Sequence, residues 1–288
     1  MNRVLPILTV LGVICVLWYA AAVWMNSTWT LAQAERAGVE MTFSEIVADT
    51  MQQERPKLPL PHQVAAELKK TVIDKKVTSK RSLVFHGWIT LKSTLMGFTL
   101  GTFMGILMAV GIVYSRTINM SLMPWAIISQ TIPIVAIAPM IIVVLSSIGV
   151  EERAVPKAII SAYLCYFPVL VGMVAGLRSP DAMQLDLLRT YGTSGWATFW
   201  KLRFPSSMPY LFTSLKIGIA AALVGAIIGE LPTGAIRGLG ARILIGDQFG
   251  QPIMIWSALI AAACLAGALV TVVAALQVLT LRRMGFAR

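Results

Sequence analysis

Long apolar runs dominate this sequence and restrict its fold more than any other feature. They lie at 5–25, 91–114, 121–147, 156–177, 211–231 and 251–280 and hold few charges. A helix rises about 1.5 Å per residue, so roughly 20 apolar residues cross a ~30 Å hydrocarbon layer. Lipid offers no partner to a backbone amide, which leaves helices and closed barrels as the spanning structures. Barrel strands alternate polar and apolar residues over about 10 positions; these runs are longer and do not alternate. The expected fold is therefore all-α, a polytopic membrane helical bundle of about six transmembrane helices. Composition agrees, because only 13% of the 288 residues are charged against about 25% in soluble domains. The third and fourth runs are predicted to be irregular helices, broken by Pro133, Pro139 and Pro168.

The net charge of +11 would suit nucleic acid if it were gathered on one polar face. The bases lie instead between and beside apolar runs, where they orient helices against anionic lipid. Membrane lipid is the expected partner and nucleic acid is not. An even number of spans puts both termini on one side. With the termini inside, the short inner segments carry Arg3, Arg116, Arg178, Arg189, Lys201, Arg203, Arg282, Arg283 and Arg288 against Asp181 and Asp186. The short outer loops balance, with Arg153, Lys157, Arg237 and Arg242 facing Glu151, Glu152, Glu230 and Asp247. That asymmetry predicts cytoplasmic termini.

Residues 26–90 then lie outside. They hold nine bases and seven acids, but a segment this long is largely exempt from the charge rule. Val64, Leu68 and Val72 predict an amphipathic helix within 62–80. A weaker alternative puts this segment inside and makes the first apolar run a cleaved or half-inserted element. That run is longer than a signal-peptide core, however, and Trp18, Tyr19 and Trp24 stand where small residues would precede cleavage. Residues 1–60 are expected to form an N-terminal transmembrane helix with an external segment, and 61–288 the main transmembrane domain.

Within the spans, Gly97, Gly101 and Gly105 recur every fourth residue, as do Gly225 and Gly229. Such ridges let helices approach closely where lipid supplies no hydrophobic drive. They suit static packing and sliding helices equally. Ser129 and Gln130, next to Pro133, and Tyr163 and Tyr166, before Pro168, are candidates for a substrate path. A buried amide such as Gln130 wants a partner, either a neighbouring helix or a passing solute. No charge lies near the middle of a run, which argues against an acidic ion relay. Glu230 closes the fifth run at its outer mouth, where it is a candidate external gate or a capping residue of the glycine-rich stretch that follows. Cys15, Cys165 and Cys264 read as small buried hydrophobes. His62 and His86 are not spaced as a ligand pair, so neither metal nor cofactor is expected in this chain.

The segment 181–209 is the polar exception. Asp181 can cap a short helix, Gly192 supplies a turn, and Trp196, Phe199 and Trp200 begin a second helix that Pro205 should end. The result is a cytoplasmic helical knob with Thr190, Tyr191, Thr193 and Ser194 at its tip and Arg189, Lys201 and Arg203 beside it. On these residues alone, a docking knob and an interfacial connector are equally supported.

Asp186-Leu187-Leu188, three residues, Gly192, nine residues and then Leu202-Arg203-Phe204-Pro205 closely resembles the "EAA" signature of bacterial binding-protein-dependent ABC importer permeases. The pattern is Glu-Ala-Ala, three residues, Gly, nine residues, Ile-x-Leu-Pro. Asp186 keeps the charge of the glutamate, whereas Leu187 and Leu188 replace small alanines. Arg189 to Gly192 and Phe199 to Pro205 resemble the nitrate/taurine/sulfonate branch, and the run from Glu230 resembles pyrimidine- and riboflavin-type members. The resemblance covers roughly residues 60–288. It implies two permease copies around one pathway in the bacterial inner membrane, two cytoplasmic ATP-binding subunits and an external solute-binding protein. It assigns ATPase coupling to Asp186, Arg189, Tyr191, Gly192, Thr193, Ser194 and Pro205. ATP and magnesium would belong to the partner subunits, since this chain has no G-x-x-x-x-G-K-[ST] loop and is not expected to be an enzyme. The competing readings are an ion-gradient-driven secondary transporter and a non-transporting membrane scaffold.

Overall fold

The computed structural model describes residues 4–150, 152–232, 234 and 236–286. Arg3, Glu151 and Arg288 of the charge balance, and Thr233 and Ala235 of the run after Glu230, lie outside the described residues. The secondary structure of the described residues is helical: α1 (Val4–Ala37), α2 (Phe43–Gln52), α3 (Pro61–Leu68), α4 (Leu83–Tyr114), α5 (Arg116–Ser129), α6 (Ile134–Ser147), α7 (Ala154–Leu177), α8 (Ala182–Thr190), α9 (Gly195–Thr198), α10 (Phe204–Glu230), α11 (Leu239–Gln248) and α12 (Pro252–Arg283). Single π turns, Lys69–Asp74 and Phe199–Arg203, extend α3 and join α9 to α10. Five helices are long and apolar enough to cross a membrane, or up to six if the bent pair α5–α6 counts as one span. The protein is a multi-pass membrane bundle.

The chain divides into two compact units, Met1–His86 with Arg242–Ala261 and Gly87–Ala241 with Ala262–Arg288. In the first, α1 has 34 residues, about 51 Å of helix, and outruns the apolar stretch 5–25 that marks its membrane part. Polar helix formers carry it on until Gly38 adopts φ +66° and ends it. Residues 53–60 run back along α1. The Asn26 amide donates to the Leu58 carbonyl at 2.9 Å and accepts from the Leu58 N–H at 3.1 Å, while the Trp18 indole donates to the Pro59 carbonyl at 3.0 Å. The predicted amphipathic helix stops at Asp74, short of 80. Its π turn shifts the buried face, so Thr71 is buried and Val72 is exposed.

The second unit is built on α7, the most buried of the long helices, which lies alongside α10 for most of its length. The glycine ridges bring both α4 and α10 close to α7. A Cβ on Gly101 would stand 2.7 Å from the Ala162 carbonyl oxygen, and one on Gly225 would stand 2.7 Å from the Ser161 Cα. Contacts that short leave no room for any side chain. Of the three cysteines, only Cys165 is buried; Cys15 and Cys264 are exposed along their helices.

Three proline expectations need correction. The run 121–147 is two helices bent by 104° at residues 130–133. Each has 14 residues, about 21 Å, too short to cross alone. Pro133 makes the break as the N-cap of α6, whereas Pro139 and Pro168 lie inside continuous helices. Pro205 does not end a helix either. The Phe204 N–H reaches the Phe199 carbonyl in a π turn, which widens the backbone where a proline ring would otherwise crowd it. The chain therefore continues as one 36-residue helical run, Gly195–Glu230.

Candidate functional site

Three groups of predicted site residues fall at different levels of the second unit. At one end, α8 leads into Gly192, whose φ of +66° is the left-handed turn that a side chain disfavours. The turn is closed by the Gly192 N–H on the Arg189 carbonyl (2.9 Å) and the Thr193 N–H on the Leu188 carbonyl (3.0 Å). The Thr193 hydroxyl also donates to Leu188, and Ser194 caps α9 by accepting from the Ala197 N–H at 3.3 Å. Thr193 and Ser194 thus build the turn from within, and Tyr191 forms its tip at 77% exposure. Asp181 occupies the N-cap of α8 but makes no side-chain capping bond. Asp186 pairs with Arg189 at 3.2 Å, both exposed.

No residue of α8 is buried. Met183, Leu187 and Tyr191 are 76%, 56% and 77% exposed, and their spacing of four places them on one face. Such a stripe has to be covered, by a partner protein or by lipid. The other side of the segment is anchored. Phe199 packs against Tyr114 with ring centroids 6.1 Å apart, the Arg203 guanidinium donates to the Leu177 carbonyl at 2.8 Å, and it lies 5.8 Å over the Tyr114 ring. Arg203 therefore ties the ends of α4 and α7 to the base of α10. Sequence reasoning gave it only a flanking place, since neither Tyr114 nor Leu177 is near it in the chain.

Midway, the bent pair meets α7. Ser129 shares a hydrogen bond with the Tyr166 hydroxyl, the Tyr163 hydroxyl donates to the Ser129 carbonyl, and the Gln130 amide donates to the Ser129 hydroxyl at 3.3 Å. All four path candidates thus form one cluster at the break, and a carbonyl at the end of α5 gains a donor. A cavity of about 320 Å³ adjoins it, lined by Trp125, Tyr163, Tyr166 and aliphatic residues.

At the far end Glu230 is fully buried. Its carboxylate accepts from Thr90 (2.9 Å) and from the Gly240 N–H (2.7 Å), and faces the Lys157 ammonium at 3.7 Å. Thr90 in turn accepts from the Leu239 N–H at 2.9 Å. Glu230 therefore holds the start of α11 against α4, α7 and α10. A Cβ on Gly240 would come within 3.0 Å of the Glu230 Cβ, so the glycines after it make room for this side chain. The sequence balance treats Lys157 as a loop residue; the structure buries it inside α7. Among the described residues, no group of three His, Cys, Asp or Glu side chains converges as a metal site.

Residues 101–286, more than half of the chain, match the family described as binding-protein-dependent transport system inner membrane component. The chain belongs to this family. An ABC transporter permease of Haemophilus influenzae is 31% identical over 61% of this chain and 69% of its own length. The formylaminopyrimidine transport permease of Halalkalibacterium halodurans is 30% identical over 59% and 66%. The matches thus span about two thirds of these relatives. Permeases named for riboflavin, aliphatic sulfonates and nitrate are related as well. An inward-facing structure of the MetNI methionine ABC transporter shares the fold, with a TM-score of 0.51 and 19% identity over 72% of this chain and 96% of that one. The protein is a transmembrane permease subunit of an ABC-type importer.

Proposed function

We propose that two copies of this permease enclose the pathway and that residues 181–209 couple it to two cytoplasmic ATP-binding subunits. The exposed stripe of Met183, Leu187 and Tyr191 carries this reading. It suits a groove on a soluble partner better than a lipid surface, because Asp186, Arg189 and Thr190 surround it with polar groups. Closure of the ATP-binding subunits around ATP and magnesium would bring the two knobs together and turn the pathway outward, and hydrolysis would reset it. Arg203 and Phe199 would pass that movement to α4 and α7.

In this reading both termini are cytoplasmic in a bacterial inner membrane, with Glu230 at the external mouth. Residues 1–60 form an added helix and external segment, and 61–288 the permease domain. A solute-binding protein delivers cargo from outside. The uncharged cluster of Ser129, Gln130, Tyr163 and Tyr166 lines the path, which suits a neutral or aromatic solute. Lipid covers exposed apolar residues such as Leu5 and Val143.

The test is reconstitution with the ATP-binding subunits. Leu187→Glu, which places a charge in the stripe, should leave the permease folded but abolish the link between ATP turnover and uptake. Uptake coupled as in the unaltered protein would end this assignment.

A further inference from the structure

The stretch from Glu67 to Arg81 in the first unit carries Lys69, Lys70, Lys75, Lys76, Lys80 and Arg81 against Glu67 and Asp74, an excess of four positive charges. Glu67 is shared between Lys70 at 3.9 Å and Arg242. Among the described residues, none of the other five bases makes an ion pair. Glu151, the acid outside the described residues, would cancel only one of the four charges even if it lay beside them.

The backbone presents these bases together with apolar side chains. In the π turn Thr71 points inward and donates to the Glu67 carbonyl at 2.6 Å. Val72 and Ile73 face outward as a result, at 39% and 72% exposure, and Val77 follows at 59%. Two tight turns hold the rest. The Ser79 N–H reaches the Lys76 carbonyl at 2.8 Å, the Ser82 N–H reaches the Ser79 carbonyl at 2.9 Å, and the His86 ring donates to the Lys80 carbonyl at 3.0 Å. The level of the stretch along α1 is set by the bond from Trp18 to Pro59 and by the Tyr19 hydroxyl, which meets the His62 Nδ1 at 3.2 Å. Both aromatic residues belong to the apolar run 5–25, so α3 starts beside the membrane part of α1. From His62 to Asp74 the helix covers roughly 18 Å, which keeps the bases within reach of the headgroups.

We propose that residues 69–81 dock on the headgroups of anionic lipid. Val72, Ile73 and Val77 enter the edge of the acyl layer while the lysine ammoniums meet lipid phosphates. Each base near such a surface strengthens the attraction about fivefold. An acidic protein face would match the charge, but the start of α3 beside a membrane span favours lipid. The docking needs only the first unit and holds on either side of the membrane, so it stands apart from the coupling reading.

Hydrogen–deuterium exchange of the full-length permease tests it, in nanodiscs of phosphatidylcholine with and without phosphatidylglycerol. Amides of 69–82 should exchange about tenfold more slowly in the anionic discs, whereas those of 39–42, before α2, should exchange alike in both. High salt should remove the slowing by screening, and this arm needs no variant. Lys69→Gln/Lys76→Gln/Lys80→Gln and, separately, Ile73→Ser/Val77→Ser should each remove most of it. All five positions are exposed, so the fold should tolerate these changes. Equal exchange in the two discs would overturn the proposal and leave the stretch to an acidic protein partner. Slowing that survives high salt or either variant would overturn it as well.

Discussion

The two ends of the run Gly195–Glu230 solve opposite problems. At the Gly195 end the segment exposes apolar side chains and is held to the unit through a few contacts around Arg203 and Phe199. At the Glu230 end a carboxylate is fully buried and satisfied by groups from α4, α7 and α11. An element meant to meet a partner has to leave surface unsatisfied, whereas one meant to fix a helix end has to satisfy every polar group. The same helix therefore carries a loosely tethered terminus and a locked one.

Breaking the locked end should give the largest effect. Removal of one member of a buried ion pair strands the other and costs about 3–5 kcal/mol, so Lys157→Met alone should lower the thermal unfolding midpoint strongly. Lys157→Met combined with Glu230→Gln should recover part of that loss. A double variant no more stable than the single one would show that the pair is not the lock. At the tethered end, Arg203→Gln removes a charge-assisted bond worth roughly 1.5–3 kcal/mol. Its unfolding midpoint should fall less than that of Lys157→Met, while uptake per ATP hydrolysed falls clearly; the reverse order would erase the contrast between the two ends. The smallest effect belongs to Asp186→Asn. Its pair with Arg189 is exposed on both sides, and such pairs contribute about 0–1 kcal/mol. Stability measured by thermal unfolding should not change, and a large drop would mean that Asp186 makes a structural contact beyond Arg189.

Much of this organisation was legible in the sequence because its causes are local or periodic. Apolar run length defines the spans, spacing of four places Gly97, Gly101 and Gly105 on one packed face, and Gly192 falls where a left-handed turn is required. The prolines were harder to rank. Pro133, Pro139 and Pro168 look alike locally, yet only Pro133 follows a carbonyl that Tyr163, 34 residues away, can satisfy. Pro205 reads as a stop because a π turn upstream of it has no sequence signature. Glu230 illustrates the same limit, since its partners Thr90 and Lys157 lie 140 and 73 residues away. Pairings at that distance depend on how α4, α7 and α10 pack, and no spacing in the chain announces them.

The uninterrupted run Gly195–Glu230 has a consequence for how this gene can change. Its 36 residues make a rod of about 54 Å, and each residue added or lost turns one end against the other by about 100° and shifts it by 1.5 Å. A single-codon insertion between Pro209 and Gly229 would move the Glu230 carboxylate out of its socket or swing the exposed stripe of α8 to a new bearing. Drift in this stretch can therefore alter outward-facing side chains but not the number of residues, so the distance from Pro205 to Glu230 is a heritable ruler.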